Sequence, residues 1–131
     1  MLFRSNLTGL MVGLEGTLGV FNEIILKLIP KPAQQKAMVA IFDTMEEASR
    51  TVSAIIAAHI VPATLEFMDN FTIRAVEDFS RVGLPVDAAA LLLIEVDGHP
   101  AQVEEDAHRI ESLCRKQGAA SIRVEIGRAH V

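Results

Sequence analysis

Cysteine occurs once, at Cys114, so the chain can build neither a disulfide framework nor a thiol metal cluster. That lone thiol fits a reducing, cytoplasmic setting. Basic residues are outnumbered, and a net charge of -5 leaves no electrostatic footprint for nucleic acid. No apolar run is long enough to span a bilayer. Met1-Leu2-Phe3-Arg4 does not read as a signal peptide. Internal repeats, low-complexity runs and blocks of like charge are missing as well. Aromatic residues make up only 5%, whereas 50% of the residues are hydrophobic, which fits an α/β or α+β globular class. The 131 residues suffice for one domain with a real core.

What is present begins with a glycine-broken corner, Gly13-Leu14-Glu15-Gly16-Thr17-Leu18-Gly19-Val20. Glycine costs backbone entropy, so three of them between apolar segments need a reason. Either the chain turns through positive φ, or a ligand lies against bare backbone. Amides exposed by such turns hold phosphate or carbonyl oxygens, and Glu15 could accept hydrogen bonds from ribose hydroxyls or backbone amides. A tight connection into a buried strand, with no ligand, explains the same spacing. The pattern is not the G-x-G-x-x-G dinucleotide fingerprint.

Leu7 to Val12 reads as one helical turn. Val20 to Ile29 is apolar and β-branched and reads as a buried strand. Pro30-Lys31-Pro32 ends it, and Ala33-Gln34-Gln35 reads as a linker. Ala37 to Phe42 is a strand. Thr44 and Glu47 form a capping-box pattern ahead of a helix with Met45, Ala48, Val52, Ile55, Ile56 and His59 at helical spacing. His59 reads as a structural residue at that helix end, offsetting its dipole. Ala63 to Met68 is a second strand. Asp69 caps a helix carrying Phe71, Ile73, Val76 and Phe79. Leu91 to Val96 is a third strand, and Pro100 opens a helix striped by Val103, Ala107, Ile110, Leu113 and Cys114. Gly118 closes it, and Ala120 to Val124 is a short last strand. With the Asp69-capped helix set aside, the order is that of a split βαβ, ferredoxin-like plan with both long helices on one face of an antiparallel sheet.

The remaining polar clusters read as structural. Glu104, Glu105 and Asp106 lie in the first turns of a helix and read as a solvated face. Glu95 and Asp97 share one side of a strand, but no histidine joins them at ligand spacing. Glu66 and Asp69 could form an acid/base pair, yet Asp69 is explained as a cap. His99 and His108 flank a helix start without a partner pattern. No Ser-His-acid arrangement stands out.

The run Leu7-Thr8-Gly9-Leu10-Met11-Val12-Gly13, continued by Leu14-Glu15-Gly16-Thr17-Leu18-Gly19-Val20, resembles the LTGLxVGSEGTLGI signature of FAD-linked oxidases of the vanillyl-alcohol-oxidase (PCMH) type. Pro62-Ala63-Thr64-Leu65-Glu66-Phe67-Met68-Asp69 and Leu92-Leu93-Ile94-Glu95-Val96-Asp97-Gly98 are similar to the glycolate oxidase and D-lactate dehydrogenase branch. The likeness runs from about Asn6 to Val124. Leu14 departs from the family's serine and removes a hydroxyl near the flavin. The resemblance implies an α+β fold: the last strand region of a PCMH-type FAD-binding domain, followed by a ferredoxin-like cap. Its boundaries would be residues 6–32 and 33–124. The cofactor implied is FAD, contacted through Gly13, Glu15, Gly16, Thr17, Gly19 and Val20. The chemistry implied is oxidation of a small 2-hydroxy acid by hydride transfer. Partner subunits carrying an iron–sulfur centre and a second flavin domain are implied too. The family's metal-binding histidines, which hold a divalent ion, and its substrate-binding arginine are expected beyond this chain's end, so no catalytic residue and no metal ligand is assigned here. A free-standing ferredoxin-like ligand-binding or regulatory module is the alternative. Finally, residues 1–5 and 125–131 read as non-native ends. Both can be encoded by one oligonucleotide resembling a sequencing adapter, with Glu125 at the junction. Other codons in the source DNA would remove that idea.

Overall fold

The computed structural model describes residues 6–125, which fall into a unit ending at Pro30 and a second beginning at Lys31. The expected non-native ends, apart from the backbone of Glu125, lie outside the described residues.

In the second unit, period-two alternation sets everything else. Along β1 (Gln34–Phe42) the even positions Lys36, Met38, Ala40 and Phe42 are buried, while odd positions are only half-buried. β3 (Ala90–Gly98) pairs with β1 in antiparallel register from Gln34↔Gly98 to Phe42↔Ala90. β2 (Thr64–Asp69) flanks β3 and β4 (Ser121–Glu125) flanks β1, giving the antiparallel order β2-β3-β1-β4. α2 (Met45–Ala57) and α4 (Pro100–Lys116) join β1 to β2 and β3 to β4. Each crosses over one intervening strand, as the split βαβ plan requires. Both helices contribute to a single core. Ala48 and Ile55 of α2 and Val103, Ala107, Ile110 and Cys114 of α4 pack with Met38, Phe42, Leu92, Ile94 and Val96. Each fully buried Leu, Ile or Phe contributes about 1.5–3 kcal/mol. α3 (Asn70–Ser80) covers the other sheet face, where Ile73 meets Ala88 and Leu91.

The N-caps fall where the sequence puts them, but the return bond of the capping box, from Thr44 N to the Glu47 carboxylate, is not made. Thr44 Oγ1 accepts from Glu47 N at 3.3 Å, and Asp69 Oδ1 accepts from Thr72 N at 2.8 Å. Hydrogen bonds from Thr72 hold the Asp69 carboxyl below its usual range.

Three expectations are corrected. The linker Ala33-Gln34-Gln35 is not one, because Gln34 and Gln35 form the first rungs of β1 against Gly98 and Asp97. Strand edges shift by one or two residues: β2 runs one residue further and β3 reaches Gly98. On the expected helix α3, Ile73 is buried, while Phe71 and Phe79 are exposed. At about 100° per residue, Phe71 lies roughly 160° around the helix from Ile73, so one sheet face cannot receive both. Lastly, Val20 to Ile29 forms no strand. Its side chains stand in solvent, Val20 at 95% and Ile25 at 91% exposure. A strand exists only through ladder partners, and among the described residues none pairs with it.

The first unit is otherwise a short helix and a corner. α1 (Leu7–Met11) is capped by Asn6, whose Oδ1 accepts from Gly9 N at 3.0 Å.

Candidate functional site

The glycine corner begins where α1 runs out. Gly13 has φ 81°, Glu15 48° and Gly16 80°. Thr17 N donates to Leu14 O at 2.9 Å and closes a four-residue turn. Positive φ at both central residues is the type I′ pattern. Thr17 Oγ1 donates to the same carbonyl at 2.6 Å, and Leu14 is buried. A side chain at Gly13 or Gly16 would meet nothing within 4 Å, so the bare backbone faces open space. Glu15 is exposed and has no side-chain partner among the described residues.

Beside the corner lies an open groove of about 630 Å³. Leu7, Met11, Val12, Phe21, Ile24 and Ile25 make its apolar wall, with Thr8, Gly13 and Glu23 supplying polar atoms. Of the six expected flavin contacts, only Gly13 lines the groove. Glu15, Gly16 and Thr17 sit on the turn outside it, and Gly19 and Val20 follow. The groove residues themselves were missed. Their signal was the helical spacing of Leu7 and Met11, which puts both on one side of α1.

Elsewhere the polar clusters resolve into structure. Glu66 and Asp69 are three apart on β2 and so point to opposite faces, which agrees with reading Asp69 as a cap and not as half of an acid/base pair. Glu95 accepts from Thr64 Oγ1 at 3.1 Å, while Asp97 is exposed. No group of three or more metal-ligating side chains occurs among the described residues. Glu104 is not simply solvated. Lys36, at an inward position of β1, donates its ammonium to Glu104 Oε2 at 2.6 Å, and Gln34 Nε2 donates to Oε1 at 2.9 Å. The Lys36 hydrogen bond holds the Glu104 carboxyl below its ordinary value of 4.5. A carboxyl lowered on folding stabilises the fold above its unfolded value and loses that contribution as pH falls through the folded one. Stability should therefore fall with acid below about pH 4.5, and Glu104→Gln should flatten that limb in urea titrations run at stepped pH. An unchanged acid limb in the variant would remove the assignment.

Comparison with known proteins follows the fold. Residues 31–128 match the family model "FAD linked oxidases, C-terminal domain". The chain belongs to this family. Over 118 residues it is 49% identical to the glycolate oxidase subunit GlcD of Bacillus subtilis, covering 90% of this chain and 25% of that one. It is 46% identical to GlcD of Escherichia coli K12 over 91% of this chain and 24% of that one. A D-lactate dehydrogenase of Anaerostipes hadrus is 30% identical over 91% of this chain and 26% of its own length. The chain thus spans about a quarter of the relatives it matches. A solved alkyldihydroxyacetonephosphate synthase superposes with a TM-score of 0.68 at 16% identity, over 94% of this chain and 27% of that one, which shows the shared fold. No helix of this FAD-linked oxidase domain is long and apolar enough to cross a membrane among the described residues.

Proposed function

We propose that the chain is the part of an FAD-dependent 2-hydroxy-acid dehydrogenase that carries the flavin-side glycine corner and the ferredoxin-like cap. The 49% identity to a glycolate oxidase subunit is the observation that carries this reading. The corner fits the group: bare backbone at Gly13 and Gly16 faces open space, beside an open, largely apolar groove of about 630 Å³. Gly13, Glu15, Gly16, Thr17, Gly19 and Val20 would contact the flavin through backbone and edge atoms. When bound, the flavin accepts the hydride of a glycolate- or D-lactate-type alcohol carbon. This chain's own residues bind and orient. They offer no general base at the corner beyond the exposed carboxylates Glu15 and Glu23. The relatives named as subunits support an assembly with redox partner subunits, and the buried, unpaired Cys114 fits a reducing cytoplasm. The exposed apolar run from Val20 to Ile29 supports cover by further protein surface. A free-standing regulatory module gives that run no purpose.

The chain alone should bind FAD weakly or not at all, as read from flavin absorbance after gel filtration. Tight stoichiometric flavin would overturn the view that most of the cradle lies outside it. Residues 6–125 exchanged into the Bacillus subtilis glycolate oxidase subunit should restore bound flavin and its bleaching by glycolate. A folded chimera that takes up no flavin would sink the functional reading.

A further inference from the structure

The second face of the sheet is only half covered. α3 and the segment after it lie over one end. Beside them a pit of about 200 Å³ remains, with Val39, Ile41, Leu91 and Leu93 as floor and the Gly83–Pro85 turn as one wall. One ionisable side chain lines it, Arg123 of β4, whose register partner on β1 is Val39. Ala37 and Ile41 flank that partner on the same face. The Arg123 side chain is exposed and makes no ion pair or hydrogen bond among the described residues.

The wall is held in place rather than left to drift. Glu77 Oε2 accepts from Gly83 N at 2.9 Å and from Leu84 N at 2.8 Å. Asn70 Nδ2 donates to Val86 O at 2.8 Å and Ala88 O at 2.7 Å, and Arg74 Nε donates to Asn70 Oδ1 at 2.9 Å. Both anchors stand on α3. The pit is therefore preformed, which lowers the ordering cost of any ligand.

We propose that this pit is a subsite for a small aliphatic monocarboxylate, with the carboxylate held by the Arg123 guanidinium and the short chain lying on the apolar floor. A planar guanidinium pairs with a carboxylate through two parallel hydrogen bonds, and an apolar surround strengthens such a pair. A single cation matches a single negative charge. The volume admits a few heavy atoms and excludes a nucleotide. Small 2-hydroxy acids and their 2-oxo products have this form, so the choice of these ligands rests on the proposed function. The site does not rest on flavin binding. Arg123 is a ligand-binding group here.

The test is an amide NMR titration of the full chain without flavin, using glycolate, D-lactate and acetate, with sodium chloride and 1,2-propanediol as controls. Saturable shifts are expected at Val39, Gly83, Leu84 and Arg123 on a scale of about 1–50 mM. Arg123→Gln should weaken them at least about tenfold, and Arg123→Lys should weaken them less. Binding by acetate supports the subsite, since the carboxylate is what is recognised. Absence of saturable shifts, equal shifts with chloride, or no effect of Arg123→Gln in a variant with an otherwise unchanged spectrum would each overturn it. Because flavin is absent, failure of the chimera described above leaves this result standing, and failure here leaves the chimera's result standing.

Discussion

Phe42→Ala should cost about 3–5 kcal/mol, read as a fall in the urea midpoint with little change in slope. Phe42 ends β1 and is 0% exposed. It is the largest side chain in the core shared with Ala48, Ile55, Leu92 and Ile94. Its backbone is also committed, because Phe42 O accepts from Ala89 N at 3.1 Å at the open end of the β1–β3 ladder. Alanine there would leave a cavity that fixed strands on both sides cannot close. Domains of this size have a stability of roughly 5–14 kcal/mol, so the loss takes about a fifth of the total or more. Phe79→Ala supplies the control. Phe79 is 93% exposed on α3, and its truncation should change stability by less than about 0.5 kcal/mol. A Phe42→Ala loss below about 1 kcal/mol, or equal losses for the two, would show that the second unit's core is not where the structure puts it.

That contrast also shows what could be read from the sequence. Both phenylalanines sit in apolar-periodic segments, and pattern alone treats them alike. The β1, α2, β3 and α4 segments were legible because their partners are in the same unit, although on α2 Met45 and Ile56 of the expected apolar stripe are exposed while Ala48 and Ile55 are buried. Phe79 was not, because a helix seated by Ile73 alone leaves its other apolar positions without a surface. Val20 to Ile29 fails for a related reason, as β-propensity describes one strand and a ladder needs two. Lys36 could have been read better. It occupies the inward parity of Lys36-Met38-Ala40-Phe42, and a lysine there requires a carboxylate from the helix above, which Glu104 supplies. The corner was legible as a turn, since Gly13 and Gly16 take the positive φ that glycine favours. The groove beside it was not, because its wall joins residues from α1 to residues beyond the turn.

Gly118→Ala should destabilise by about 1–3 kcal/mol, through two separable causes. α2 and α4 end in the same hydrogen-bond pattern. Ile60 N donates to Ile55 O at 3.4 Å and His59 N to Ile56 O at 3.0 Å; Ala119 N donates to Cys114 O at 3.0 Å and Gly118 N to Arg115 O at 3.2 Å. These are Schellman motifs, each needing a left-handed residue just past the cap. α4 uses Gly118, with φ 104°, whereas α2 uses His59, with φ 58°. A side chain at Gly118 would meet strain in the backbone and also the Glu47 carboxylate, since an added Cβ would lie 2.7 Å from Oε1 and 2.9 Å from Cδ. Among the described residues no hydrogen bond tethers Glu47 Oε2, so the steric cause is set by how readily this flexible carboxylate swings aside. The two causes can be separated by a double-mutant cycle with Glu47→Ala. Steric conflict makes Gly118→Ala milder in that background by at least about 0.5 kcal/mol, and pure backbone strain leaves the cost unchanged. His59→Gly isolates the backbone cause at the twin motif. It removes the side chain from a left-handed position and should stabilise by about 0.5 kcal/mol, the relief of strain being partly offset by the greater freedom of glycine in the unfolded chain. A neutral Gly118→Ala would mean that α4 ends without the left-handed residue on which this account of both helix ends depends.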